Sequence, residues 1–245
     1  KIQTAATNAS YIGLFGQIGT GGVVRNLNIE DMNVNGGLYA SIVGGLCGCN
    51  YGSIRNCHTA GTVRGDIWIA GLCGYNNSNI TDCSSAAAVS GTQNIGGLCG
   101  YTSVGVISTS YATGNVTGGN IYTGGLCGYI QSGNINKCYS TGIINGKSNT
   151  GGLCGYNNGN ITSSYAIGHV IGKNLFTGGL CGWNESSGQI TNCYSEAEVD
   201  GYRYTGGLCG ADSYKLTNCY SIGDVNATGT NIGGLCGTKY GTGVI

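Results

Sequence analysis

The sequence lacks proline altogether, and only 8% of its 245 residues are charged. Ten Lys and Arg residues balance ten Asp and Glu residues, so no basic surface is available to neutralise the phosphates of a nucleic acid. No apolar run approaches the ~20 residues that span a bilayer. We therefore predict no nucleic acid partner and no membrane span.

Glycine, in contrast, fills 50 positions, which is about three times its usual share. Without proline and without a Gly-X-Y period, this glycine cannot build a collagen helix. No helical apolar period lasts long enough for an α-helix, whereas short runs of Ile, Val, Thr and Tyr alternate with Gly, Asn and Ser. These runs predict short strands separated by turns.

A phrase Gly-Leu-x-Gly recurs nine times, and from the second copy onward the copies follow at intervals of 26–28 residues. Its variable residue is Phe15, Cys47, Cys73, Cys99, Cys127, Cys154, Cys181, Cys209 and Cys236. A unit of this size cannot bury a hydrophobic face alone, and it is too short for a four-stranded propeller blade. We predict an all-β fold over residues 1–245, a single parallel β-solenoid domain of about nine coils, with ~27 residues per coil and ~4.8 Å between coils.

The copy at residues 178–201, GGLCGWNESSGQITNCYSEAEVDG, shows the fuller pattern of G-G-L-x-G, I-T-N-C-Y-S and x-V-x-G. This pattern resembles the GLUG-motif repeat of large bacterial surface and secreted proteins. The opening from Tyr11, YIGLFGQIGTGGVVRNLNI, resembles the first repeat of such arrays. The resemblance implies an extracellular or cell-surface protein in which the repeats form a stalk or a binding module. One departure is that the residue after Leu, commonly Val in that family, is Cys in eight of nine copies.

A second cysteine follows the first by 10 to 12 residues in five copies. This constant spacing predicts intra-coil disulfides, which would pair Cys47 with Cys57, Cys73 with Cys83, Cys127 with Cys138, Cys181 with Cys193 and Cys209 with Cys219. Two copies carry Ser110 and Ser164 at the second position, which leaves Cys99 and Cys154 unpaired together with Cys49 and Cys236. Bridges between stacked coils, or simple burial of a small apolar side chain, are the alternatives.

Metal and redox chemistry are not predicted, because no C-x-x-C motif occurs and the one C-x-C is Cys47 with Cys49. We therefore expect no cofactor. The best candidate for catalysis is His169, Glu198 and Asp224 in successive coils, with Glu196 and Asp200 nearby, which would suit a polysaccharide-acting enzyme. Earlier coils carry mixed residues at the same position, so we interpret this group as a solvated stripe and predict no catalytic site.

Two sets of aromatic residues recur at fixed positions of the repeat and predict stacked ladders on the surface. One set is Tyr111, Tyr139, Tyr165, Tyr194 and Tyr220, and the other is Tyr75, Tyr101, Tyr129, Tyr156 and Trp183. Such ladders stabilise a rod by their own contacts, or alternatively offer flat rings to carbohydrate.

Fourteen cysteines and seven Asn-x-Ser/Thr sequons are typical of an exported chain. The sequons, which predict N-glycosylation, begin at Asn8, Asn76, Asn79, Asn115, Asn160, Asn184 and Asn226.

Both ends of the sequence lie inside a repeat. Joining the end of one copy to the start of another places Phe15 24 residues after Cys236, close to one period. This predicts molecules that stack head to tail, and a fragment of a longer surface protein is the alternative. We predict a non-enzymatic extracellular structural protein that forms a surface filament or an adhesin stalk, with itself and alternatively surface glycans as partners.

Overall fold

The computed structural model describes the backbone of residues 3–5 and all atoms of residues 11–37 and 42–241. Within these ranges every regular element is a β-strand, and every strand pair is parallel. No helix that could span a membrane occurs in this part of the chain. The strands belong to three sheets that run along the stack of coils.

The first sheet carries the residue after each Gly-Leu. Its nine strands are Phe15–Ile18, Cys47–Asn50, Cys73–Asn76, Cys99–Thr102, Cys127–Ile130, Cys154–Asn157, Cys181–Asn184, Cys209–Asp212 and Cys236–Lys239. The second sheet follows in each coil with eight strands, which are Val23–Arg25, Ser53–Arg55, Asn79–Thr81, Val106–Ser108, Asn134–Asn136, Asn160–Thr162, Gln189–Thr191 and Lys215–Thr217.

The third sheet closes each coil with one, two or three short strands. Its 22 described strands are Gln3–Ala5, Tyr11–Ile12, Asn28–Asn35, Ile42–Gly44, His58–Arg64, Ile67–Ala70, Ser84–Ser85, Ala88–Gly96, Tyr111–Ala112, Val116–Gly124, Tyr139–Ser140, Ile143–Gly146, Ser148–Gly151, Tyr165–Ala166, His169–Gly172, Leu175–Gly178, Tyr194–Ser195, Glu198–Gly201, Arg203–Gly206, Tyr220–Ser221, Val225–Ala227 and Ile232–Gly233.

Equivalent residues of neighbouring coils are register partners. Cys154, for example, pairs with Cys127 on one side and Cys181 on the other, and Ile161 pairs in the same way with Ile135 and Ile190. The predicted parallel β-solenoid with a coil of about 27 residues is therefore confirmed. Eight to nine coils are represented in the first two sheets, which agrees with the predicted number.

The core is made of columns of one residue per coil. In the inner coils the leucine of Gly-Leu, the central residue of the second-sheet strand and the Val of x-V-x-G are buried, as at Leu153, Ile161 and Val170, whereas Leu14 and Leu235 of the terminal coils are not fully buried. The buried side chains are surrounded on all sides by other residues of the core, so shortening one of them leaves a cavity. Replacing such a Leu or Ile by Ala costs about 2–5 kcal/mol in proteins.

Two corners in each coil place a residue other than glycine in the left-handed region. The first corner follows the second sheet, with φ between 45° and 56° at Asn26, Asn56, Asp82, Thr109, Lys137, Ser163, Asn192 and Asn218. The second precedes Gly-Leu, with φ between 52° and 63° at Trp68, Asn94, Tyr122, Asn149, Phe176, Tyr204 and Asn231. Asn and Asp tolerate this region, whereas bulky residues seldom adopt it.

Glycine before the leucine is required by close approach of the backbone in the inner coils, whereas Gly234 of the last coil has no atom within 4 Å of an added Cβ. A Cβ atom on Gly152 would lie 2.0 Å from the carbonyl oxygen of Gly179 in the next coil, and one on Gly151 would lie 2.0 Å from the carbonyl oxygen of Cys154. No side chain fits at such distances, so the Gly-Gly-Leu phrase is fixed by backbone contact.

Candidate functional site

The first predicted aromatic set forms a continuous ladder on the third sheet, which we call the tyrosine ladder. Ring centroids of neighbouring coils lie 4.8–5.1 Å apart and the ring planes differ by 2–6°. The ring of Tyr220 is 49% exposed, and the others are half-buried. Burial and then the flanking rings raise the pKa of Tyr139. The rings therefore cover one another's faces and present their edges to the solvent.

The second set forms the mixed ladder on the first sheet. Tyr75, Tyr101, Tyr129 and Tyr156 stack at 4.8–5.7 Å with planes within 10° of parallel. The ladder ends at Trp183, which meets Tyr156 at 60°. Burial raises the pKa of Tyr101 to about 12.

The aromatic residues of the second corner join this ladder, which the sequence patterns did not indicate. Trp68 stacks at 4.8 Å from Tyr101, Tyr122 meets the edge of Tyr156 at 5.0 Å, and Phe176 packs 4.6 Å from Trp183. Bulky residues in the left-handed region carry backbone strain, which must be offset by the contacts they make. The recurrence of Trp, Tyr, Phe and Tyr two residues before Gly-Gly or Ala-Gly was the available signal.

Eight cysteines form a column inside the first sheet, which we call the first cysteine column. Its members are Cys47, Cys73, Cys99, Cys127, Cys154, Cys181, Cys209 and Cys236. All but Cys236 are fully buried. The thiols of Cys73, Cys127 and Cys154 each donate to the carbonyl two residues later, at 3.1, 3.4 and 3.2 Å. The side chains thus share one orientation.

The second predicted cysteine of each coil caps the first corner. The Sγ atom of Cys138 donates to the carbonyl oxygen of Asn136 at 3.3 Å, across the left-handed Lys137. Cys57, Cys83, Cys193 and Cys219 make the same bond at 3.2–3.3 Å, and Ser110 and Ser164 make it at 2.7 Å. This column therefore needs a short side chain that donates one hydrogen bond, and Ser meets that need as Cys does.

All fourteen cysteines are free thiols in this structure, so none of the five intra-coil pairs is formed in it. The pairing stays a prediction. The corner bond offers a reason for the recurrent second cysteine that needs no disulfide. Burial raises the pKa of both Cys83 and Cys138 to about 12, so these thiols hold their protons at neutral pH.

Six of the nine first-sheet strands end on a buried polar residue, and the residues of this column are Asn50, Asn76, Thr102, Asn157, Asn184 and Asp212. The Nδ2 atom of Asn157 donates to Asn184 at 2.7 Å, and that of Asn184 donates to Asp212 at 2.6 Å. Asp212 is fully buried and pairs with Lys239 of the next coil at 2.6 Å. The side chains of Asn157 and Asn184 thus form a ladder of amide hydrogen bonds, and the ion pair of Asp212 with Lys239 lies at its end.

This column corrects two of the sequon predictions. Asn76 and Asn184 are fully buried and their amides bond within the column, so the fold leaves no room for a glycan at either. Asn79, Asn115, Asn160 and Asn226 are exposed, and glycosylation there stays a prediction. Asn8 lies outside the described residues.

The acidic group is partly assembled by the third sheet. His169 and Glu198 are register partners, and the Nε2 atom of His169 lies 2.8 Å from Oδ2 of Asp200. The candidate ligand atoms of these three residues lie within 4.8 Å of one another. Asp224 is not part of the group, whereas the Asn226 amide contacts both carboxylates at 3.2–3.4 Å. All these groups are partly or fully exposed, as expected for a solvated stripe.

Comparison with known proteins agrees with the repeat pattern. Residues 39–64 and 177–200 match the model of the family described as the GLUG motif, so the predicted GLUG-motif repeats are confirmed. A stretch of 60 residues is 38% identical to Halomucin of Haloquadratum walsbyi (strain DSM 16790 / HBSQ001). The match covers 24% of this chain and 1% of Halomucin. No solved structure matches the chain.

Proposed function

We propose that this chain is a non-enzymatic, extracellular rod that serves as a structural segment of a surface protein or surface assembly. The GLUG motifs and the similarity to Halomucin support a place outside the cell. The stack of parallel coils supports a rod roughly 40 Å long at ~4.8 Å per coil.

The tyrosine ladder is the observation that carries this proposal. Rings that stack face to face at 4.8–5.1 Å contribute their area to contacts between coils rather than to a ligand. The same holds for the thiol, amide and apolar columns, whose partners lie one coil away. A molecule whose repeated residues contact the equivalent residues of the next coil resists bending and local unfolding along its axis.

Head-to-tail association of identical copies is the finer part of the proposal. In-register parallel coils support it, because a further coil of the same sequence pairs as its neighbours do.

Electron microscopy of the purified chain at increasing concentration, with light scattering on the same samples, tests both parts. We expect rods about 40 Å long that join into unbranched filaments. Rods that never join would refute self-assembly, and a stalk segment of a surface protein would then be the remaining form of the proposal. Compact particles would refute the rod itself. Incubation with a polysaccharide panel tests the absence of catalysis, since turnover that Glu198→Gln abolishes would contradict it.

Carbohydrate binding is a second candidate, favoured by one open cavity of about 210 Å³. Tyr51, Trp68 and Tyr75 line it, and the ring of Tyr51 is tilted by 45° against Tyr75 instead of stacked on it. Trp68 and Tyr75 stack on each other and on Tyr101, so Tyr51 is the member of the three whose ring is free of a parallel neighbour, and such a ring suits a sugar. Glycan-array binding that Trp68→Ala removes and Tyr165→Ala retains would support this site. Binding that neither change affects would exclude it.

A further inference from the structure

The first cysteine column places sulfur atoms in a row at the spacing of the coils. Its eight members form seven neighbouring pairs, and each pair consists of register partners in parallel strands. Parallel strands lie ~4.8 Å apart. The thiols of Cys73, Cys99, Cys127, Cys154 and Cys236 bond to the carbonyl two residues later, and register partners with this common orientation should hold their Sγ atoms at about the strand separation. A disulfide favours a Cβ separation of about 3.5–4.5 Å, so a spacing near 4.8 Å lies just outside the range in which it forms most readily.

That separation suits a different bond. A thiolate–metal bond is about 2.3 Å long, as for zinc, so two such bonds in line span about 4.6 Å. Thiolates are the ligands that soft cations such as copper(I) select. We propose that the first cysteine column binds soft monovalent cations of the copper(I) and silver(I) class, with each ion held in line between the sulfur atoms of two adjacent coils.

Charge balance favours a monovalent ion in this buried row. Each ion that binds displaces one thiol proton, so that R–SH and M⁺ give R–S–M and H⁺, and the sulfur of the next coil completes the coordination. No oxidant or reductant is consumed. One positive ion per thiolate leaves no net charge in the core, where an unpaired charge is costly.

Zinc does not fit the same row. It requires four ligands in a tetrahedron, whereas an ion between two coils meets two sulfur atoms in line. Seven zinc ions on eight thiolates would also leave a large positive charge in the core, whereas monovalent ions leave none. A search for C-x-x-C spacing misses this arrangement, because the adjacent cysteines are 26–28 residues apart in the sequence.

Loading must accompany folding or a local opening of the coils, since seven of the eight thiols are fully buried. The reduced full-length chain is therefore unfolded, refolded with silver(I) and examined by native mass spectrometry. We expect the column to hold up to seven ions, one for each neighbouring pair.

Two variants with equal numbers of cysteines separate register from thiol count. The alternating variant carries Cys73→Ser, Cys127→Ser, Cys181→Ser and Cys236→Ser and keeps no neighbouring pair. The contiguous variant carries Cys47→Ser, Cys73→Ser, Cys99→Ser and Cys127→Ser and keeps Cys154, Cys181, Cys209 and Cys236 as three pairs. The contiguous variant should bind three more ions than the alternating one. Equal binding by the two variants would overturn the proposal.

X-ray absorption of the loaded wild-type chain keeps the proposal testable if either variant fails to fold. We expect two sulfur neighbours at about 2.3 Å in a linear arrangement around each ion. A coordination shell with three or more sulfur atoms, or with oxygen or nitrogen atoms, would refute the geometry proposed here.

Discussion

Cys138→Ser should leave the free energy of unfolding nearly unchanged, because serine at Ser110 and Ser164 already makes the same corner bond in the neighbouring coils. Cys138→Ala removes the donor to the carbonyl oxygen of Asn136 at 3.3 Å. The lost hydrogen bond should cost about 1 kcal/mol, and the small cavity adds to it. Denaturant unfolding followed by circular dichroism measures both changes.

An intra-coil disulfide between Cys127 and Cys138 predicts a different result. Closing a loop of this length stabilises a protein by about 3 kcal/mol in the chain-entropy model. Serine and alanine at position 138 would then cost the same, and a reductant would destabilise the wild type alone. Equal losses for the two variants would refute the corner-cap argument.

Ser164 supplies the matched control in the next coil. Ser164→Cys should be nearly neutral, and Ser164→Ala should cost about as much as Cys138→Ala, since both remove one buried donor. A large gain in stability from Ser164→Cys under oxidising conditions would instead indicate that its new thiol pairs with Cys154.

Three further predictions concern the free energy of unfolding and the residues that stack from coil to coil. Lys239→Ala should cost about 3 kcal/mol in denaturant unfolding, because it leaves the buried Asp212 unpaired, and most of this loss should vanish when Asp212→Asn restores an amide to the column. Tyr165→Ala should cost about 1–3 kcal/mol through two lost ring contacts, whereas Tyr165→Phe should cost little in the same assay. The free energy of unfolding should be constant near neutral pH and fall from about pH 9 to about pH 12, because the folded chain retains the proton of Cys138, whose pKa burial raises to about 12, while the unfolded chain releases it. Denaturation at a series of alkaline pH values measures this fall, and Cys138→Ser should reduce it.

The coil was predictable because the residues that define its turns and its core repeat. Gly151 and Gly152 mark a close approach between coils, Leu153 and Ile161 mark the core, and all four recur at one interval. The left-handed backbone at the corners was harder to predict from the sequence. At Lys137 and Phe176 the left-handed backbone is imposed by the sheets on either side, against the preference of the residue itself.

Spacing along the chain measures distance within a coil, so the prediction of intra-coil pairs took no account of the neighbouring coils. Cys154 has Cys127 and Cys181 of the neighbouring coils as its register partners. Ser110 and Ser164 carried the relevant signal, since a hydroxyl replaces a thiol as a donor but not as half of a disulfide.

The burial of the sequon residue Asn76 was not predicted, because the alternation of inward and outward side chains breaks within its strand. Strict alternation from the inward Cys73 would place Asn76 outside, but the pairing between strands skips Gly74, and Asn76 turns inward to the amide column. Alternation is reliable only where each residue of a strand takes part in the ladder.

The scarcity of charge and the absence of proline follow from the same register. A residue that recurs in every coil meets its own copy at ~4.8 Å, where two like charges repel by about 1 kcal/mol even in water and by more near a protein surface. Neutral donors such as Asn, Ser, Cys and Tyr stack without that penalty. Where charge enters the stack, Asp212 meets Lys239 and His169 meets Asp200, and the like-charged register partners Arg25 and Arg55 are exposed to the solvent. Proline would remove a backbone donor from one of the three sheets, in which the N–H groups of each coil bond to the carbonyl groups of its neighbours.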